Sequence, residues 1–295
     1  MQSDIPQPLA DSLDAFLRSL EGKNRAATTQ RAYQADVRHF FTWLSANNMA
    51  ASSPERIVKA DITDYLASLA RLGLSGVTRA RKLAALREYF RYLVNHGQLI
   101  KSPSDGIDTP KREKKSRTAL APSEYNRLLA LTGSNPRDFA ILQLFLQSGI
   151  RISELCALTV SDVDFINHAL SVRAGKGLTD RTIGLDKKAA QAVKNYLTAR
   201  PDKHAEHLFL NAEGKPITPR GVQWLVAKYV KEAGITRKVS PHSLRHTFAT
   251  EKARRGVSPF LLQAWLGHAR LDTTAIYVHM AGGADAQKIM EQTSL

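Results

Sequence analysis

Cysteine is almost missing from this chain of 295 residues: Cys156 is the only one. That excludes an internal disulfide and a cysteine-based zinc site, and it suits a reducing cytoplasm. Long apolar runs are missing too. The longest, Phe139 to Leu146, is broken by Gln143 and is far too short to span a bilayer, so no membrane association through a spanning helix is expected. Residues Met1 to Ala10 lack a basic start followed by an apolar stretch, so no secretory signal is expected. No Gly-x-x-x-x-Gly-Lys-Ser/Thr loop occurs, which leaves no ATP site, and no cofactor is expected. Internal repeats and low-complexity tracts are absent as well. Acidic residues are short: 27 Asp and Glu face 42 Lys and Arg, a formal charge of +15. Such an excess suits a polyanion, because neutralising each phosphate releases condensed counterions; an anionic membrane surface is the other partner that charge alone allows.

What is present is mostly helical. Leu13, Phe16, Leu17 and Leu20 line one face of a helix over Asp11 to Leu20, and Tyr33, Val37, Phe40, Phe41 and Leu44 line a second, with Thr28 as its expected cap. Asp61 to Leu72 and Ser75 to His96 make two more, the last decorated by Arg79, Arg81, Lys82, Arg87 and Arg91 and closed by Gly97. Those cations mark either a solvated face or a face laid against phosphates. Pro103, Pro110, Gly106 and Ser104 and the basic run 111–117 then read as a linker. Beyond it, helices are expected over Pro122 to Leu131, Pro136 to Ser148, Ser153 to Leu158, Lys187 to Ala199 and Pro219 to Glu232. Between the third and fourth of these, Val163 to Phe165, Ala169 to Arg173 and Arg181 to Leu185 read as short antiparallel strands, with Gly175-Lys176-Gly177 at a hairpin tip. The expected fold is mainly α with two domains, the second carrying a small antiparallel sheet. The expected division is 1–105, a linker over 106–118, and 119–295. Residues 1–110 hold 14 basic and 11 acidic groups and residues 111–295 hold 28 and 16, so the excess is +3 against +12.

The strongest local signal is Ser240-Pro241-His242-Ser243-Leu244-Arg245-His246-Thr247. Ser240 is a good N-cap and Pro241 a good first helical residue, so His242 and Arg245 share a face at a helix start. That helix end attracts anions, and the His and Arg there suit a phosphodiester oxygen. His242 and His246 also have a metal-ligand spacing, but no Cys or carboxylate cluster completes a zinc shell, so no metal is expected. Trp265-Leu266-Gly267-His268 places His268 just past a Gly C-cap, and Thr273 or Thr274 can cap a short helix bearing Tyr277. Arg151 stands at a helix–helix corner made by Gly149, with Glu154 three residues on, placed to hold its guanidinium from behind. Taken singly, each has an ordinary structural explanation: a salt bridge for Arg151, an exposed turn for Lys176, a core position for Tyr277.

Their order is informative. Arg151, Lys176, His242-x-x-Arg245, Leu266-Gly267-His268, and Tyr277 nine residues later resemble the signature of the tyrosine recombinases, the phage integrase family, with a layout similar to the Xer type. The resemblance covers essentially the whole chain. One departure is the hairpin Gly-Lys-Gly-Leu-Thr-Asp-Arg, where many relatives carry a further Lys after the second Gly.

The resemblance implies a SAM-like, four-helix core-binding domain ahead of a catalytic domain. It implies Tyr277 as the nucleophile, forming a 3′-phosphotyrosine, with Arg151 and Arg245 clamping phosphate oxygens and His268 donating a further hydrogen bond. His242 would assist in proton transfer or stabilise the transition state, and Lys176 would protonate the departing 5′ oxygen. With two arginines and a lysine at the phosphate, no divalent metal is required. The implied partners are double-stranded DNA recombination sites and a homo- or hetero-tetramer on two duplexes, passing through a Holliday junction. Whether a second recombinase or an accessory activator takes part is left open by the sequence, and the tail after Tyr277 would dock on a neighbouring protomer. The competing functions are type IB topoisomerase-like relaxation and a non-catalytic DNA-binding regulator.

Overall fold

The computed structural model describes residues 5–23, 25–48, 50–111, 119–173 and 180–267. The chain forms two compact units, residues 1–115 and 116–295.

The first unit packs four helices around an aromatic core: α1 (Gln7–Gly22), α2 (Ala27–Asn47), α3 (Lys59–Arg71) and α4 (Gly76–Asn95). Leu9, Leu13, Phe16 and Leu20 give α1 one continuous buried face at three- and four-residue steps. Phe16, Phe40, Phe41, Tyr65, Tyr89 and Phe90 meet at the centre. Two of the rings carry hydroxyls, and both are satisfied. Tyr89 pairs with Ser12 at 2.6 Å and Tyr65 with the His39 ring nitrogen at 2.8 Å. The buried Asp36 is ion-paired to Arg81 and, at 3.2 Å, to Lys82. Of these two α4 cations Lys82 is buried with Asp36, whereas the Arg81 side chain reaches it from a half-exposed position.

Ser75 caps α4, its hydroxyl accepting the Thr78 N–H at 3.3 Å. Thr28 does not cap α2. Ala26 stands at the N-cap with extended backbone, and Thr29 and Gln30 donate to its carbonyl, so Thr28 already lies inside the first turn. The start of the linker-like stretch is held on this unit. Ile107 is buried in the core, Lys59 donates to the Gly106 carbonyl at 3.0 Å, and Arg87 donates to the Ile107 carbonyl and to Thr109.

The second unit contains α5 (Pro122–Thr132), α6 (Pro136–Ser148), α7 (Ile152–Ala157), β1 (Val163–Asp164), β2 (Ala169–Val172), β3 (Arg181–Gly184), α8 (Lys187–Ala199), α9 (Pro219–Glu232), α10 (Pro241–Arg254) and α11 (Pro259–Leu266). The strands form an antiparallel sheet in the order β1-β2-β3, with Leu170 opposite both Val163 and Ile183. Each strand stops one residue short of its expected end. At β1 the reason is local: the Asp164 carboxylate accepts the Ile166 and Asn167 N–H groups, which turns the chain. The expected hairpin tip, Gly175-Lys176-Gly177, lies outside the described residues.

Helix α6 is the axis of this unit. Ala140, Ile141, Leu142, Leu144 and Phe145 are all buried, because α8 and α10 pack on it from different sides. Helix α10 is buried over Leu244 to Thr250 without a break, an uncommon run for a helix that carries Arg245 and His246. Among the described residues, no helix is long and apolar enough to cross a membrane.

Candidate active site

The site is assembled where α6 ends, α7 and β3 begin, and α10 and α11 meet. Asn135 caps the start of α6, and Gly149 closes it in the left-handed conformation at φ +61°. A side chain there has no room. A Cβ on Gly149 would lie 2.3 Å from the Phe248 ring, so α10 can sit tight against the corner only over a glycine. Two residues on, Arg151 is the N-cap of α7, and the Glu154 carboxylate accepts the Arg151 backbone N–H at 2.6 Å and its Nη1 at 2.8 Å. The expected support of Arg151 by Glu154 is thus present.

Glu154 is shared. Arg181, the first residue of β3, approaches the same carboxylate with both terminal nitrogens, at 2.9 and 2.8 Å. Glu154 is 8% exposed. Burial alone would raise its pKa, but the hydrogen bonds from Arg181 and Arg151 outweigh that and hold it down at about 2. It therefore stays ionised, and two guanidiniums flank one carboxylate.

The last turn of α11 joins these parts. Helix-terminal carbonyls lack intrahelical partners and carry the negative end of the helix dipole. Here three consecutive carbonyls each receive a different arginine. Arg181 Nε donates to Trp265 at 2.7 Å, Arg245 Nη2 to Leu266 at 2.5 Å, and Arg151 Nη2 to Gly267 at 2.8 Å. Arg245 also reaches back to the Gly149 carbonyl at 2.7 Å, which ties the α6 corner to the α11 end through one side chain. Gly267 is left-handed at φ +59°, and the Arg181 guanidinium stands 3.1 Å from where a Cβ would be.

Arg151 and Arg245 are therefore brought together, on adjacent carbonyls. Their surroundings differ. The Arg151 side chain is 32% exposed and can meet a ligand, whereas Arg245 is 3% exposed and held in place in advance. Three arginines against one carboxylate leave a local excess of two positive charges, a preorganised setting for an anion. His242 is exposed in the first turn of α10, one turn before Arg245, and Ser243 braces that turn by accepting the Ser240 N–H at 3.1 Å. His246 is buried, and among the described residues no group of three or more His, Cys, Asp or Glu side chains could hold a metal. Lys176, His268 and Tyr277 lie outside the described residues, as does the tail that follows.

Arg181 was not among the candidate residues read from the sequence. A signal was available. In β3 it shares the face of the buried Ile183, and a charge on the inward face of a strand needs a partner. No local motif names that partner, since Glu154 is 27 residues away.

Comparison with known proteins bears directly on this arrangement. Residues 118–282 match the phage integrase family, and residues 13–97 match the N-terminal SAM-like domain of phage integrases. A tyrosine recombinase of Pseudothermotoga lettingae is 35% identical, the match covering 84% of this chain and 86% of the relative. Tyrosine recombinase XerC of Thermodesulfovibrio yellowstonii is also 35% identical, over 88% and 87% of the two chains. Among solved structures, the integrase of transposon Tn1549 bound to a circular-intermediate DNA superposes with a TM-score of 0.77 at 22% identity, covering 96% of this chain and 99% of that one. The XerH recombinase in a post-cleavage complex with its difH substrate superposes with a TM-score of 0.72 at 24% identity, covering 92% and 81%. Both halves of the chain are matched, each by the domain expected there, and the chain belongs to the phage integrase family, the tyrosine recombinases.

Proposed function

We propose that Tyr277 cuts and rejoins DNA at specific sites through a 3′-phosphotyrosine intermediate, with Arg151, Lys176, His242, Arg245 and His268 completing the catalytic set. The observation that carries this reading is the seating of Arg151 and Arg245 on the adjacent Gly267 and Leu266 carbonyls, immediately ahead of His268 in the chain. Family membership supports the rest.

In the forward step the Tyr277 oxygen attacks phosphorus and the bond to the 5′ oxygen breaks. Lys176 supplies the proton that oxygen needs, the Tyr277 hydroxyl gives up its own proton as it attacks, and His242 assists in that proton transfer or stabilises the transition state. Arg151, Arg245 and His268 neutralise the non-bridging oxygens; an arginine meets two oxygens with one rigid planar fork, a geometry an ammonium does not offer. Phenol has a reference pKa of about 10, below that of an aliphatic alcohol. The phosphotyrosine therefore retains the bond energy, and a 5′ hydroxyl from a partner duplex displaces the tyrosine. Strand exchange between two duplexes then runs through a Holliday junction and a tetramer of recombinases, homomeric or with a second recombinase or an accessory activator. Residues 1–105 serve as a core-binding domain and 119–295 as the catalytic domain, both contacting the duplex, with the basic residues of 106–118 between them. A single cysteine, Cys156, is suited to the reducing cytoplasm.

The test is a nicked suicide duplex carrying a site that the protein selects by binding from random DNA. Wild-type protein forms a denaturant-resistant adduct without added metal, and Tyr277→Phe forms none. Specific binding with no adduct from wild type would favour a non-catalytic regulator. Relaxation of plasmids lacking any such site would favour a topoisomerase.

A further inference from the structure

We propose that Arg181 is a positioning residue for strand cleavage, setting Arg151 through Glu154 and registering β3 against the end of α11. The proposal rests on the cleavage reading above.

Three contacts of this one side chain carry it. Its two terminal nitrogens hold both oxygens of Glu154, and its Nε holds the Trp265 carbonyl. The Arg181 side chain is 8% exposed, so it has no direct route to a bound duplex. What it controls is one step away. Glu154 has its other contacts to Arg151, at the backbone N–H and at Nη1. A carboxylate gripped at both oxygens cannot rotate, so it presents a fixed acceptor to Arg151 Nη1, while Gly267 presents a second to Nη2. The Arg151 guanidinium is thereby held at two points, with part of its surface open to solvent.

The same arginine joins segments far apart in sequence. It opens β3, five residues after Lys176, and its hold on Trp265 lies three residues before His268. The start of β3 and the last turn of α11 are thus held by a common side chain. Charge alone does not reproduce this. A lysine would keep the ion pair with Glu154, but it has no planar fork for two oxygens and no third donor in that plane for Trp265.

Two variants test the proposal on the suicide duplex in single-turnover cleavage, Arg181→Lys and Arg181→Met. Three quantities are read: the DNA concentration for half-saturation, the final fraction of protein converted to adduct, and the rate constant. A positioning role predicts that half-saturation and adduct fraction stay within about threefold of wild type. The rate constant falls about 100-fold in both variants, the size of effect expected when a reacting group is displaced by roughly 1 Å. A residue that only supports the fold would instead lower the adduct fraction and leave the rate constant of the folded protein unchanged. Arg181→Lys cleaving at the wild-type rate would overturn the proposal. So would loss of the folded state in both variants, because Arg181 would then be a stability residue. Wild-type protein forming no adduct would remove the cleavage reading and this proposal together, whereas a competent wild type beside an unimpaired Arg181→Lys removes this proposal alone.

Discussion

Among single residues, the buried Glu154 carboxylate between two guanidiniums holds the site together. Breaking such a pair is costly because the remaining charge is stranded in a poorly solvated place. Glu154 has a folded pKa of about 2, below the ordinary carboxylate range. Its contribution to stability is therefore fully present above pH of about 4.5 and is lost as pH falls towards about 2, since the unfolded chain binds the proton first. The contribution is on the order of 3 kcal/mol by linkage. Melting temperature measured against pH checks this. Wild type should lose stability across that window more steeply than Glu154→Gln, which itself melts lower at neutral pH; parallel curves would contradict the assignment. Arg151 and Arg245 were legible in the sequence because a motif order names them. Arg181 was not, because its partners come from Glu154 and from a backbone carbonyl on α11, contacts made only when β3 is folded against them.

Among the elements, helix starts with a strong cap were legible almost to the residue, whereas α1, read from Asp11 by its apolar period, begins at Gln7. Pro136–Ser148, Lys187–Ala199 and Pro219–Glu232 have the bounds read from the sequence, because a capping residue with proline at the first position, or Asp186 as a cap, fixes each start. Ends fixed by weaker signals moved. Helix α2 begins at Ala27, ahead of Thr28, because tertiary packing can start a helix where no side chain caps it. The connection over 101–118 reads as linker by composition, yet composition does not disclose that Ile107 is buried and that Arg87 binds this stretch.

The corner between α6 and α7 is where element geometry meets the site, and Gly149→Ala probes it. The substitution places a Cβ in a left-handed residue and against the Phe248 ring, both unfavourable. A loss of about 2–4 kcal/mol is expected from the two effects combined. At roughly 2–4 °C per kcal/mol for a unit of this size, the thermal midpoint should fall measurably. An unchanged midpoint would mean that the corner relaxes and that α10 does not depend on close approach to it.

For the whole molecule, two matched domains and an uneven charge describe a protein built for a polyanion. The excess of twelve positive charges lies in residues 111–295, against three in residues 1–110. Binding to duplex DNA should therefore weaken linearly in log–log terms with salt, by about 1,000-fold or more between about 50 and about 200 mM if at least six phosphates are neutralised. A flat response in a binding titration would contradict that. Whether Tyr277 carries the DNA is read by digesting the trapped adduct with nuclease and trypsin and sequencing the modified peptide by mass spectrometry. A nucleotide remnant is expected on Tyr277, the only tyrosine in the tryptic segment from Leu271 to Lys288. A remnant on any other residue, or an adduct that survives in Tyr277→Phe, would contradict it.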